Sequence, residues 1–245
     1  MLLHTAAWPE IEAYLKTSTG IIIPIGSTEQ HGPNGLIGTD AICPEVIARE
    51  AGDEAGVLVG PTFNVGVAQH HLGFPGSMTL RPTTMIAALN DWIDSLARHG
   101  FEKIYFLNGH GGNIATIGAA FAESYSNWSF DGEACPYELM QRNWWDLPGV
   151  MDVCRSLFPV GEGSHATASE VSVTYYAYPE HVKDVVMSPK IAPNGRFTDA
   201  DNYRKTFPDG RIGSDPAQAT PEKGATIVQA ARKAVIQDVT AFFSR

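Results

Sequence analysis

The chain reads as an α/β protein: a three-layer αβα sandwich in which a mostly parallel sheet is covered by helices on both faces. Three observations lead there. First, the β-branched run Ile21-Ile22-Ile23-Pro24-Ile25 stops at Gly26, as a strand buried on both faces should. Second, Lys103-Ile104-Tyr105-Phe106-Leu107 is a similar run and leads straight into Asn108-Gly109-His110. Third, between these runs Met85, Ile86, Leu89, Trp92, Ile93 and Leu96 fall at helical spacing, and Gly100 closes the segment. Strands that alternate with helices imply parallel pairing and helical cover on both sides. With 245 residues and a 44% hydrophobic share, one domain over residues 1–245 is expected.

The remaining elements follow in order. Ala41 to Ala55 is predicted helical with Asp40 near its start, and Val57-Leu58-Val59 opens the next strand. Met78 to Leu80 could be a short extension. A helix carrying Ile114, Ile117, Phe121 and Tyr125 follows the glycine run, then a strand over Tyr137 to Asn143 that ends at Trp144-Trp145. Residues 165–178 are predicted helical and Val182 to Met187 a strand. Residues 188–219 are rich in proline, glycine and aspartate without a period, which predicts a functional flap or an arm on a partner subunit. Thr220-Pro221-Glu222 starts the last helix, with its stripe at Ile227, Val228, Ala231, Val235, Ile236 and Val239.

Composition narrows the function. The formal net charge is -10 with no lysine or arginine cluster, which argues against nucleic-acid and anionic-membrane partners. Three distant cysteines, Cys43, Cys135 and Cys154, contain no Cys-x-x-Cys pair and argue for a reducing compartment. The N-terminus lacks a basic stretch followed by a long apolar one, so a cytoplasmic address is expected.

The chemistry concentrates in four stretches: Glu29-Gln30-His31-Gly32-Pro33, Gly38-Thr39-Asp40, Asn108-Gly109-His110-Gly111-Gly112-Asn113, and His165 through Glu170. Ligand sites in open α/β sheets lie beyond the carboxyl ends of the strands. Glu29 and His31 follow the first strand and His110 follows the strand at 103–107, so these polar groups are sent to one edge. Glu29 and His31 are two apart and project the same way in an extended segment. Carboxylate oxygen with neutral imidazole suits hard or borderline divalent cations. Each piece has a plainer reading. Asp40 could cap its helix, and the glycine run could be a tight turn or an anion cradle. It matches neither Gly-x-Gly-x-x-Gly nor the P-loop.

Together, Glu29-Gln30-His31-Gly32-Pro33 with Gly38-Thr39-Asp40, the Asn-Gly-His-Gly-Gly-Asn run and His165-Ala166 with Glu170 resemble the creatininase (creatinine amidohydrolase) family. Gly73-Phe74-Pro75-Gly76-Ser77 and Ala219-Thr220-Pro221-Glu222-Lys223-Gly224 look like further landmarks of that family. The resemblance implies an α/β sandwich holding two divalent ions (zinc, manganese or iron), often as a homo-hexamer. It places Glu29 and His110 on one ion, His31 on the other and Asp40 between them. Creatininase itself has a ligand glutamate where this chain has Gly112, and Glu170 is the implied replacement, which puts creatinine in doubt as the substrate. Charge counting agrees: Glu29, Asp40, Glu170 and one bridging hydroxide balance two divalent ions. Glu162 is the rival third carboxylate.

His165 and Glu170 stand about 140° apart on an ideal helix. Both can face one site only if His165 lies in the lead-in or first turn. The plain reading of His165 is a helix-start histidine bonding a carbonyl; the resemblance makes it, with Glu170, part of the catalytic set, as a proton carrier. Ser77, His71, Gly111, Gly112, Trp144 and Trp145 are candidate substrate contacts. The expected activity is hydrolysis of a non-peptide carbon–nitrogen bond in a small cyclic amide or formamide, by a hydroxide bridging two divalent ions. Two alternatives remain: a non-catalytic metal-binding protein, and a serine hydrolase using Ser27 or Ser164, although no Gly-x-Ser-x-Gly elbow exists.

Overall fold

A computed structural model describes all residues, Met1–Arg245. Its centre is a four-stranded parallel sheet of β1 (Gly20–Ile25), β2 (Leu58–Val59), β3 (Lys103–Asn108) and β4 (Glu138–Asn143), in the order β2-β1-β3-β4. Helices α1 (Trp8–Tyr14), α2 (Thr39–Ala55), α3 (Pro82–Arg98), α4 (Ile114–Asp131), α5 (Val150–Leu157), α6 (Ala168–Ala177), α7 (Ala200–Thr206) and α8 (Pro221–Phe243) complete the chain.

Alternation along the strands divides the interior in two. Ile22, Val59, Tyr105 and Leu107 face α2, α5, α6 and α8, where Ile47, Cys154, Val173 and Val235 meet them. Ile21, Ile23, Ile25, Ile104 and Phe106 face the other way, onto Met85, Leu89 and Ile93 of α3 and Ile117 of α4. Side chains of consecutive strand residues point to opposite faces, so β1 and β3 supply apolar groups to both layers. This is the αβα sandwich the sequence predicts. No helix is long and apolar enough to cross a membrane. The three cysteines are unpaired.

Several expectations change. Residues 182–187 form no strand. Val182 and Val186 are exposed and only Met187 is buried, so the run crosses the surface without pairing and anchors by its last side chain. The helix predicted from residue 165 begins at Ala168, because Ala166 adopts a left-handed φ of 53° and Thr167 caps the first turn. Helix α2 begins two residues early, which places Asp40 inside its first turn. Helices α1, α5 and α7 have no counterpart in the sequence reading.

Residues 188–219 fold back on their own chain as a cover that includes α7. Phe207 and Ile212 pack with Tyr203 and Phe74. The buried Arg211 guanidinium pins the cover, donating to Asp209 Oδ2 at 2.7 Å, Pro189 O at 2.7 Å and Ser214 O at 2.8 Å. Five guanidinium donors in a rigid fork suit such multiple anchoring.

Candidate metal centre

β1 and β3 pair in register to their last residues, Ile25 opposite Asn108, so the segments that follow them emerge side by side. Asp40 sits across both strand ends because two glycines allow it. A Cβ at Gly26 or at Gly109 would land on the Asp40 carbonyl oxygen. The glycine run is fixed by its own asparagines. Asn108 Nδ2 donates to His110 O at 2.7 Å, and Asn113 Nδ2 donates to Gly26 O at 2.9 Å. Val67 N donates to Asn113 Oδ1 at 2.9 Å. The run is therefore a braced strand-to-helix turn that aims His110 at Asp40. A Cβ at Gly112 would strike His110 Nε2 and crowd Val67 O, so a side chain there would have to displace the ring.

Five of the singled-out side chains form two groups of three. Donor atoms of Glu29, Asp40 and His110 lie within 4.8 Å of one another, as do those of His31, Asp40 and Glu170. Asp40 belongs to both. Its Oδ1 is 2.9 Å from His31 Nε2 and its Oδ2 is 2.7 Å from His110 Nδ1. Glu29 Oε2 is 3.4 Å from His110 Nε2, and Glu170 Oε1 is 3.8 Å from His31 Nε2. Glu29, His31 and His165 make a third group. Glu170 reaches the cluster as the third residue of α6, where it also accepts from the Thr167 backbone N–H in a capping box.

Two buried oxygens, Glu29 Oε1 and Asp40 Oδ2, have no hydrogen-bond partner. His71 Nε2 lies 3.1 Å from the first and His110 Nδ1 2.7 Å from the second, close but out of line for a hydrogen bond. Buried acceptors without aligned donors are rare in proteins. With imidazole nitrogens beside them they fit a borderline divalent cation.

The electrostatics carry the same message. Burial opposes charge on His31, yet the Asp40 carboxylate raises it to about 10. Burial likewise opposes His110, and Glu29 with Asp40 raises it to about 9. Asp40, buried but flanked by both imidazoles, is held well below the usual carboxylate range. Burial raises Glu29 and takes Glu170 to about 7. Without a cation, protons on His31 and His110 thus supply the positive charge that the carboxylates demand. His71 and His165 go the other way. Burial, reinforced by His31, lowers His71 to about 3 and His165 well below its ordinary value.

Asp40, His110 and Glu170 of the cluster form one wall of a cavity of about 290 Å³ that is also lined by Gly111, Trp144, Trp145, Met151, Glu162 and His165. Of the candidate substrate contacts, Gly111, Trp144 and Trp145 line the cavity and Gly112 does not. Ser77 and His71 do not line this cavity. Ser77 Oγ accepts from Gln30 N at 3.1 Å, and His71 is buried behind Glu29. Glu162 lines the cavity but belongs to neither ligand group; its Oε2 accepts from Ser169 N at 3.2 Å. His165 lies in the lead-in to α6, its Nε2 2.9 Å from Gln30 O and its Nδ1 3.8 Å from Glu29 Oε1. Ser27, weighed as a nucleophile, instead donates to Glu29 Oε2 at 2.8 Å. Gln30 and Tyr203, which pack on the histidines, were not anticipated. For Gln30 a signal existed, since it stands between two ligand candidates.

A parallel sheet with an acidic, imidazole-rich cluster at its strand ends is built to hold divalent cations. The chain matches the family profile "Creatininase: Creatinine amidohydrolase" over residues 4–239, and it belongs to the creatininase family. Among characterised relatives, the creatinine amidohydrolase of Pseudomonas putida is 26% identical over 185 residues, 71% of each chain. The 3-dehydro-scyllo-inosose hydrolase of Thermotoga maritima is 35% identical over 109 residues, 44% of this chain and 35% of that protein. The mycofactocin precursor peptide peptidase of Mycolicibacterium smegmatis is 32% identical over 108 residues, 42% of this chain and 43% of that protein. A mutant creatininase in its Zn-Zn form superposes with a TM-score of 0.87 at 22% identity, covering 100% of this chain and 98% of the other. A manganese creatininase gives a TM-score of 0.85 at 24% identity, covering 100% and 99%. These likenesses carry the fold. The buried acid–imidazole cluster is a candidate site for divalent metal.

Proposed function

We propose that the protein is a metal-dependent amidohydrolase that cleaves a non-peptide carbon–nitrogen bond in a small cyclic amide or formamide. The observation that carries this reading is the pair of ligand groups sharing Asp40 on the wall of a small cavity. Glu29, Asp40 and His110 would hold one divalent ion; His31, Asp40 and Glu170 would hold the second. When bound, such a pair polarises a carbonyl and lowers the pKa of water towards about 7.

The chain's own groups do the rest. Gln30 O can only accept, so His165 carries its proton on Nε2 and presents the Nδ1 lone pair to the cluster. His165 is therefore a neutral group that takes a proton at Nδ1 and returns it to the departing amine, since an amine leaves poorly until protonated. Trp144, Trp145 and Met151 give the cavity apolar walls, which exclude water and suit a compact ring. A volume of about 290 Å³ lies at the small end of ligand pockets, which favours a small molecule over the peptides named for the mycobacterial relatives.

The test is a panel of lactams, cyclic ureas, formamides and short peptides, assayed with the zinc- or manganese-loaded protein and again after chelation. Hydrolysis of a small amide that disappears with chelator and returns with metal is expected. Metal retention without turnover on any member would favour a non-catalytic metal-binding role. Cleavage of peptides alone would replace the substrate class.

A further inference from the structure

Gln30, between Glu29 and His31, has an amide whose orientation is fixed at both ends. Its Oε1 accepts from Gly32 N at 2.8 Å, and its Nε2 donates to Gly210 O at 2.9 Å. One N–H remains. Two ring nitrogens stand 2.9 Å from Nε2: His71 Nδ1 and His165 Nε2. The second already carries a proton, because it faces the Gln30 carbonyl oxygen at 2.9 Å, and so it cannot accept another. The remaining N–H therefore goes to His71 Nδ1. That leaves the His71 proton on Nε2, 3.1 Å from Glu29 Oε1. The Tyr203 hydroxyl is also within reach of Nε2, but at 3.5 Å, and a proton on His71 Nδ1 would face the amide N–H instead of an acceptor.

We propose that Gln30 is a positioning residue that sets the tautomers of two histidines by two different parts of itself. Its side-chain amide turns the His71 Nε2–H towards Glu29, and its backbone carbonyl turns the His165 Nδ1 lone pair towards the cluster. Glu29 Oε2 accepts from Ser27 Oγ at 2.8 Å, while the His71 Nε2–H faces Oε1 from 3.1 Å without the alignment of a hydrogen bond, which leaves that oxygen open to a cation. The cover segment is shaped around this amide. Gly210 has a φ of 86°, and a Cβ there would land on the Gln30 side chain. Tyr203 OH donates to the same Gly210 carbonyl at 2.8 Å. The metal-hydrolase reading is needed only to say what the tautomers serve. Groups that orient a ligand carboxylate or imidazole commonly change metal affinity 10–100-fold when lost.

The test is long-range 15N NMR of histidine-labelled, metal-free protein, with zinc affinity measured by competition against a chelating dye. In the unaltered protein both His71 and His165 should be protonated on Nε2. Gln30→Met should leave His165 unchanged, release His71 to a mixture of tautomers and weaken the tighter zinc step roughly 10–100-fold. Gln30→Glu, whose carboxylate can only accept from His71 Nδ1, should move the His71 proton to Nδ1. A His71 ring protonated on Nδ1 in the unaltered protein overturns the inference, and that spectrum suffices if a variant does not fold. So does a Gln30→Met protein whose His71 tautomer and zinc affinity are both unchanged. A protein with the expected tautomers that hydrolyses no amide retains this inference and loses the hydrolase reading.

Discussion

Loading the metal-free protein with cations should expel protons in a number the structure fixes. A ligand imidazole must be neutral. Yet the Asp40 carboxylate, acting against burial, raises His31 to about 10, and Glu29 with Asp40 does the same for His110, to about 9. At pH 8 both rings therefore hold their protons, while Glu170, at about 7, has mostly lost its own. Filling both ligand groups should release about two protons per chain from the imidazoles at pH 8, and about one more at pH 6, where Glu170 also starts protonated; a bridging water that ionises adds about one to either count. The sign follows directly: protons compete with metal, so affinity falls as pH falls. Around pH 8 the overall binding constant should lose at least about two powers of ten per pH unit, and the imidazole part of this dependence should flatten above pH 10. Isothermal titration calorimetry with manganese in two buffers of different ionisation enthalpy measures the proton count directly. A release below about half a proton at pH 8 would show that Asp40 does not hold protonated imidazoles, and the charge account of the cluster would fail.

Two further predictions follow from single side chains. His165→Ala should keep the bound metal and lose about 10²–10⁴-fold in turnover, the usual worth of a positioned proton carrier; steady-state kinetics beside elemental analysis separate the two, and an unchanged rate would remove His165 from the chemistry. Gly112→Ala should put a methyl against His110 Nε2, displace the ring and weaken metal at the Glu29–Asp40–His110 group; unchanged stoichiometry and affinity in that variant would mean that His110 is free to move or is not a ligand.

How far the sequence could be read depended on the kind of information each element uses. β1, β3 and α3 were legible because buried strands and amphipathic helices write their period into apolar residues, here Ile21–Ile25, Ile104–Leu107 and Met85–Leu96. Helices α1 and α7 have seven residues each, too few turns to establish a period, and α5, at eight, is hardly longer. Val182 to Met187 has strand composition, but pairing is decided by what lies beside it, which no local pattern records. The ligand candidates were legible because each closes or follows a recognisable element, and strand ends in a parallel sheet gather on one side. Glu170 lies 130 positions from Asp40, so its meeting with His31 is legible only through the family resemblance or in the folded chain. The support around them was not legible. Ser27 and Gln30 look like ordinary loop polars, and Tyr203 comes from a segment without period. Their roles exist only as hydrogen bonds and ring contacts across the fold.

The most direct test of the central claim is an anomalous difference map from a crystal grown with manganese or zinc. Two peaks per chain are expected, one among Glu29, Asp40 and His110 and one among His31, Asp40 and Glu170, with Asp40 touching both. A map with no peak at these side chains, or with one cation bound elsewhere, would contradict it.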